Sequence, residues 1–181
     1  MLSDLQTQKL THYFNVLDFD SNGLLEEVDF VGVGENLAIL LGFDFDADEF
    51  NEVLDVFKKQ WIAIHSSIGT DSHQVTLEQW LTFADQGLVN STASNSVKQW
   101  TFDIISLFDT DKDELISMME YVDFFVAYHI EVRYSAKSFQ RLDLNNDGFI
   151  SREELLEAIN QFFTSDNPDD RGNWLFGFWS K

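Results

Sequence analysis

Three segments of the chain place side-chain oxygens at alternate positions: DFDSNGLLEEVD (18–29), DTDKDELISMME (109–120) and DLNNDGFISREE (143–154). Each carries Asp or Asn at its first, third and fifth positions, an apolar residue at its eighth and a carboxylate at its twelfth. The chemistry open to such a set is capture of a hard divalent cation, which takes 6–8 oxygens. Alternate residues of a tight loop converge on one point, the seventh adds its backbone carbonyl, and the twelfth reaches back from a following helix. The candidate ligands are Asp18, Asp20, Asn22, the Leu24 carbonyl and Asp29 in the first segment. In the second they are Asp109, Asp111, Asp113, the Leu115 carbonyl and Glu120; in the third, Asp143, Asn145, Asp147, the Phe149 carbonyl and Glu154.

This is the twelve-residue calcium loop of the EF-hand. One acidic loop means little in so acidic a chain, but three with the same internal spacing point to Ca²⁺ at three sites. The sites differ. Loop three is the most regular, with Gly148 at the sharp turn. Loop two has the most charge but sets Glu114 where the turn favours glycine, so a non-glycine residue must adopt a positive φ there. Loop one ends in Asp29, whose shorter side chain favours six-coordination and a mixed Ca²⁺/Mg²⁺ site, with Glu26 at its ninth position as a further oxygen or a water holder.

Helices must present these loops, and the flanks supply them. Leu10, Tyr13, Phe14 and Leu17 lead into loop one, and Leu155, Ala158, Ile159 and Phe162 follow loop three, each set on one helical face. The apolar eighth residues Leu25, Ile116 and Ile150 suit short strands that bridge paired loops. Ser117 with Glu120, and Ser151 with Glu154, have capping-box spacing for the outgoing helices. The same rule finds a fourth unit in VTLEQW, with Val75 as bridge residue, Thr76 as cap and Gln79 in place of the acid. The helix before it carries Phe50, Val53, Leu54, Phe57, Trp61 and Ile64 at helical spacing. Its loop, IGTDSHQVTLEQ (68–79), has no acid at positions 1, 3, 5 or 12, so it keeps the shape of a hand without the site. His65 and His73 lack clustered partners for a transition metal.

The expected fold is all-α: four EF-hands in two paired lobes within one compact unit, with short antiparallel bridges between paired loops. The lobes are expected at 1–89 and 97–181, joined by the polar stretch NSTASNS (90–96), where a rigid central helix is not expected. Asn90-Ser91-Thr92 matches the glycosylation sequon but reads as part of that joint.

Composition narrows the function. The 181 residues hold 32 acidic against 11 basic side chains, a net charge of −21, which disfavours nucleic acid and anionic membranes and favours multivalent cations. No cysteine is present, so disulfides, thiolate metal sites and Cys nucleophiles are excluded. No signal peptide and no run approaching the roughly 20 apolar residues of a membrane span is found; a soluble, cytoplasmic monomer is expected. The interior is rich in rings, with 18 Phe, 5 Trp and 4 Tyr against 3 Met. His12 and His129 lack a nucleophile or paired acid, so no enzyme is expected, and His12 reads as a rim residue.

Beyond the loops, the chain resembles the sarcoplasmic calcium-binding proteins, with the calerythrin type and the calexcitins: four hands, the second silent, and a tail SDNPDDRGNWLFG (165–177). Gly172, Asn173, Leu175, Phe176 and Gly177 match that family's closing Gly-Asn-x-Leu-Phe-Gly. The resemblance implies lobes closed around a shared apolar core and a role in Ca²⁺/Mg²⁺ buffering, with Glu114 as the departure from its loop pattern. The related coelenterazine photoproteins keep the same three hands, but their functional His of the last helix corresponds to Ile159 here; Trp100 and Tyr121 are expected in the core. The readings in order are a calcium buffer or signal modulator, a sensor that exposes an apolar surface to a protein target, and a carrier of an apolar small molecule such as a luciferin. The tail residues Trp174, Leu175 and Phe176 are expected to plug the space between the lobes; Phe178 and Trp179 lie beyond the match.

Overall fold

The computed structural model describes residues 1–69, 71–88 and 93–179. Helix α1 (Asp4–Leu17) opens on a capping box: Gln6 N–H donates to Ser3 Oγ at 3.2 Å, and Ser3 N–H to Gln6 Oε1 at 3.0 Å. Its buried stripe is Gln6, Lys9, Leu10, Tyr13, Phe14, Val16 and Leu17. Strand β1 (Leu24–Leu25) and α2 (Glu27–Leu40) complete the first hand. Helix α3 (Asp48–Ile68) packs along α2 and ends on Gly69 in the left-handed region at φ 71°. Strand β2 (Val75–Thr76) leads into α4 (Leu77–Phe83), capped by Thr76 and Gln79, and then a π-helical turn over 84–88.

The second half runs α5 (Ala93–Ser106), β3 (Leu115–Ser117), α6 (Met118–Ala127), a 3₁₀ turn (Val132–Tyr134), α7 (Ser135–Leu142), β4 (Phe149–Ser151) and α8 (Arg152–Thr164). The polar joint is shorter than its composition suggests, because α5 begins at Ala93. The first N–H groups of a helix have no intrahelical partner, so Ser and Asn are tolerated there. The sequon at 90–92 lies outside the described residues.

The bridges have the expected register. Strand β1 pairs antiparallel with β2, setting Leu25 opposite Val75, and β3 with β4, setting Ile116 opposite Ile150. All four side chains are buried, so the eighth position of each loop is both a ladder residue and a core residue. The silent loop thus holds a strand partner for loop one although it lacks acidic ligands.

The two halves share one apolar core. Helix α1 packs on α4 and α8, α2 on α6, and α5 on α3 and α8. Tyr13 sits at the crossing, its ring within 4.5–6.0 Å of Phe176, Phe163, Trp80 and Phe162 by centroid. Trp80 Nε1 donates to the Leu10 carbonyl at 3.0 Å, so even the indole nitrogen is satisfied in the interior.

After α8 the chain turns through 165–170 and closes with a second 3₁₀ turn (Arg171–Trp174). Leu175 and Phe176 are 0% and 2% exposed, and the Phe176 ring meets Tyr13, Phe162 and Phe124. Tyr121 Oη donates to the Leu175 carbonyl at 2.8 Å, and His12 Nε2 lies 2.7 Å from the Phe176 carbonyl. Only glycine fits at 172: a Cβ there would lie 2.3 Å from the Ala158 carbonyl oxygen. The tail is therefore a plug made of Leu175 and Phe176. Trp174 differs from expectation: it is half-buried at the edge, under Lys137 and Arg141. His12 is more than a rim residue, since burial lowers its pKa against the raising effect of the Phe176 carbonyl that it grips.

Candidate metal centres

The three acidic loops repeat one hydrogen-bond network. The first-position carboxylate accepts the N–H groups of positions five and six. Asp18 takes Asn22 and Gly23 at 3.0 and 2.8 Å, Asp109 takes Asp113 and Glu114 at 3.2 and 3.0 Å, and Asp143 takes Asp147 and Gly148 at 3.2 and 3.0 Å. The third-position oxygen accepts the N–H of position five, from Asp20, Asp111 and Asn145 in turn. The fifth-position oxygen accepts the N–H of position seven, at 2.8, 2.8 and 2.9 Å for Asn22, Asp113 and Asp147. These bonds roll each loop into a concave turn with its acceptors facing inward.

The twelfth residue closes the ring. One oxygen of Asp29, Glu120 or Glu154 accepts the N–H of position nine, at 2.7, 2.9 and 2.8 Å. The other accepts the N–H of position two, from Phe19, Thr110 or Leu144, at 3.1, 2.8 and 2.8 Å. Asp29 makes the same two contacts as the longer glutamates and is the most buried of the three, at 1% exposure.

Backbone conformation is shared as well. Glu114 has the required positive φ, 65°, at the position where loops one and three have Gly23 and Gly148. Position four is also left-handed in every loop, at Ser21, Lys112 and Asn146. The sequence signalled this only at Asn146, since Asn tolerates that region better than most residues.

The donor set fits a hard cation. Carboxylate oxygens of Asp18, Asp20 and Asp29 lie within 4.8 Å of one another, as do those of Asp109, Asp111 and Glu120. Two oxygens at about 2.4 Å from a common ion lie at most about 4.8 Å apart, so each group is compact enough to share one ion. Asp113 stands outside the second group. Among the described residues loop three forms no three-acid group of this kind, since its third position is the neutral Asn145.

Electrostatics separate the loops. Burial raises the Asp29 pKa; the Glu26 and Asp20 amides lower it, and the Asp20 and Asp18 charges add to the rise, which prevails. Asp111 is raised by desolvation and by Asp113, Glu120 and Asp109, against the Asp113 amide. Glu120 and Glu154 go the other way: burial raises each, but donors from Ser117 and Thr110, or from Ser151, Leu144 and Asn145, outweigh it.

Some neighbours of the sites were not evident from the sequence. Glu26 accepts Asn22 Nδ2 at 3.2 Å and Gln74 Nε2 at 2.9 Å, so the silent loop braces loop one through a side chain as well as the strand. Phe19 stacks on His129 of the α6–α7 turn, and Asn36 Nδ2 lies 3.2 Å from His129 Nε2. Tyr121 is buried as expected, whereas Trp100 is half-buried. His65 meets the Ser72 carbonyl, and among the described residues neither His65 nor His73 joins a metal-ligand group. No helix among the described residues is long and apolar enough to cross a membrane.

Comparison with known proteins gives the same picture. The family model described as EF hand matches residues 136–159, the α7–loop–α8 unit. Calerythrin of Saccharopolyspora erythraea is 25% identical over 168 residues, covering 90% of this chain and 94% of that protein. The sarcoplasmic calcium-binding protein of amphioxus superposes with a TM-score of 0.77 at 15% identity, covering 98% of this chain and 99% of that one. The coelenterazine-binding protein of Renilla muelleri, in its calcium-loaded apo form, gives 0.76 at 19% identity over 97% and 99%. The chain thus carries an EF hand and is similar in sequence to calerythrin and in fold to the sarcoplasmic calcium-binding protein, which supports calcium binding.

Proposed function

We propose that the protein is a Ca²⁺ buffer with three sites, and that site 18–29 also takes Mg²⁺. The ligands are Asp18, Asp20, Asn22, the Leu24 carbonyl and Asp29; Asp109, Asp111, Asp113, the Leu115 carbonyl and Glu120; and Asp143, Asn145, Asp147, the Phe149 carbonyl and Glu154. The side chains gather charge and close the loop, while the position-two and position-nine amides aim the twelfth carboxylate. The ion supplies charge neutralisation, which removes the mutual repulsion of the acids.

The observation that carries the buffer reading is the tail. A sensor presents an apolar groove to its target when loaded. Here Phe176 fills the space between Tyr13, Phe124 and Phe162, and the Leu175 carbonyl is tied to Tyr121. The interior rings are thus covered by the protein's own chain. Asp29 supports Mg²⁺ at site one, because its side chain is shorter than the glutamates that close the other loops and favours six-coordination.

Calorimetric Ca²⁺ titration with and without millimolar Mg²⁺ tests this. Three binding events are expected, one of them weakened by Mg²⁺, with no Ca²⁺-dependent rise in binding of an apolar-surface dye. A strong rise on loading would replace the buffer by a sensor, and two events or none would remove the three-site assignment.

A further inference from the structure

We propose that the α7 face beside the tail is a docking surface for an acidic, apolar-bearing segment of a partner protein. The protein carries −21 overall, yet Arg133, Lys137 and Arg141 recur at four-residue spacing from the 3₁₀ turn through α7, on one helical stripe. Arg133 pairs with Glu131 at 2.5 Å. Among the described residues neither Lys137 nor Arg141 has an ion-pair partner, although the chain holds 32 acids. Both lie over the Trp174 ring, at 4.7 and 4.3 Å, and Arg133 lies over Tyr134 at 4.8 Å.

The aromatic side of the stripe is continuous. Tyr134, Phe178 and Trp174 follow one another at 5.4 and 5.3 Å between centroids. Holding the tail in place accounts for Trp174 under its two cations. It does not account for Phe178, which is 42% exposed, or for Val132 beside Arg133, at 43%. Exposed rings next to cations form a surface that is apolar at its centre and positive along one edge.

Charge selects the occupant. A polyanion such as nucleic acid or an anionic bilayer extends far beyond the stripe and meets the field of the whole acidic protein. A short segment with a few carboxylates feels the stripe within the screening length of about 8 Å at physiological salt and little beyond it. Its apolar residues would cover Phe178 and Val132 while its carboxylates meet Lys137 and displace Glu131 from the exposed Arg133.

The test uses the full, Ca²⁺-loaded chain and a labelled peptide of about 12 residues alternating Glu with Leu and Phe, read by fluorescence anisotropy. Binding is expected to weaken about tenfold or more in the Arg133→Glu/Lys137→Glu double variant and in 0.5 M salt. It should weaken also in Phe178→Ala, and stay unchanged in Lys58→Glu/Lys59→Glu on α3. The peptide with Lys in place of Glu should not bind the surface. Arg133 and Lys137 are exposed, so the double variant should lose in melting temperature only the Lys137–Trp174 contact, and a far-UV circular dichroism spectrum equal to the parent's excludes misfolding. No binding of the acidic peptide, or equal affinity for the double variant, overturns the proposal. So does a dimer that Lys137→Glu dissolves, which would make the occupant a second copy.

Discussion

The Phe19 ring stacks on the His129 ring, with centroids 4.3 Å apart and planes 27° from parallel. Phe19 is the second residue of loop one, and its amide donates to Asp29, whereas His129 belongs to the turn after α6. A ligand loop of one half thus leans directly on the other half. An aromatic pair of this kind contributes about 0.5–1.5 kcal/mol beyond the area it buries. A double-mutant cycle of Phe19→Ala and His129→Ala, measured by urea unfolding in Ca²⁺, should return a coupling energy in that range. Phe19→Ala alone should also weaken the first site, because the backbone around the Asp29 contact loses its support; additive effects would break the link.

Glu114 and Gly148 occupy equivalent turns at φ 65° and 90°. Left-handed conformation costs a non-glycine residue about 1–2 kcal/mol. Glu114→Gly should therefore tighten Ca²⁺ binding at loop two, by up to about thirtyfold on that scale. Gly148→Ala should weaken loop three, although a Cβ at 148 meets no atom within 4 Å. Site-resolved titration checks both, and the pair separates backbone strain from crowding.

Acid should empty the sites in a defined order. The Asp29 pKa is raised, so as pH falls protons compete for its carboxylate before they do for Glu154. The Glu154 pKa is lowered below 4.5, so in the ion-free protein it contributes stability above that pH and loses it as pH falls through the lower folded value. Loop one should release Ca²⁺ at a higher pH than loop three. Terbium luminescence across pH 7 to about 4 in variants with a single intact loop reads the order; simultaneous release would contradict it.

Lys9 is fully buried, and its ammonium donates to the Gln161 and Ser165 carbonyls and to Asn173 Oδ1 at 3.1, 2.8 and 3.0 Å. It thereby neutralises the open end of α8 and fastens the tail. Burial lowers its pKa from 10.5 to about 8, against the Asp170 and Asp166 charges. Between those values the unfolded chain holds the proton and the folded chain releases it, so this residue makes stability rise with pH there. Lys9→Met should remove that slope and cost about 2–3 kcal/mol, since three acceptors lose a charged donor. Unfolding curves from pH 7 to about 10.5 decide the point.

The loops, the bridges and the silent hand were legible because each is local: a twelve-residue spacing states its own geometry, and Glu114 announced its strain by replacing a glycine. Lys9 was half-legible. It lies four residues before Tyr13, on the buried stripe of α1, yet nothing near it in sequence supplies its acceptors, which come from α8 and the tail. The Phe178 contacts and the Phe19–His129 stack depend on how the halves close and on the route after Pro168, and no local pattern encodes either. The edge position of Trp174 has no local signal for the same reason: cations on α7, distant in sequence, hold it there.

The silent loop has a consequence for how the protein responds to its ion. Strand β1 is paired with a loop that lacks the acidic ligands, and Glu26 is braced by Gln74 from that same loop. On the three-site reading one partner of the first pair takes no ion, while in the second pair β3 and β4 each belong to an acidic loop. The first half should answer the ion with a simple hyperbola, whereas the second can fill steeply, each loop readying its neighbour. A single chain would then combine a graded reservoir with a threshold one.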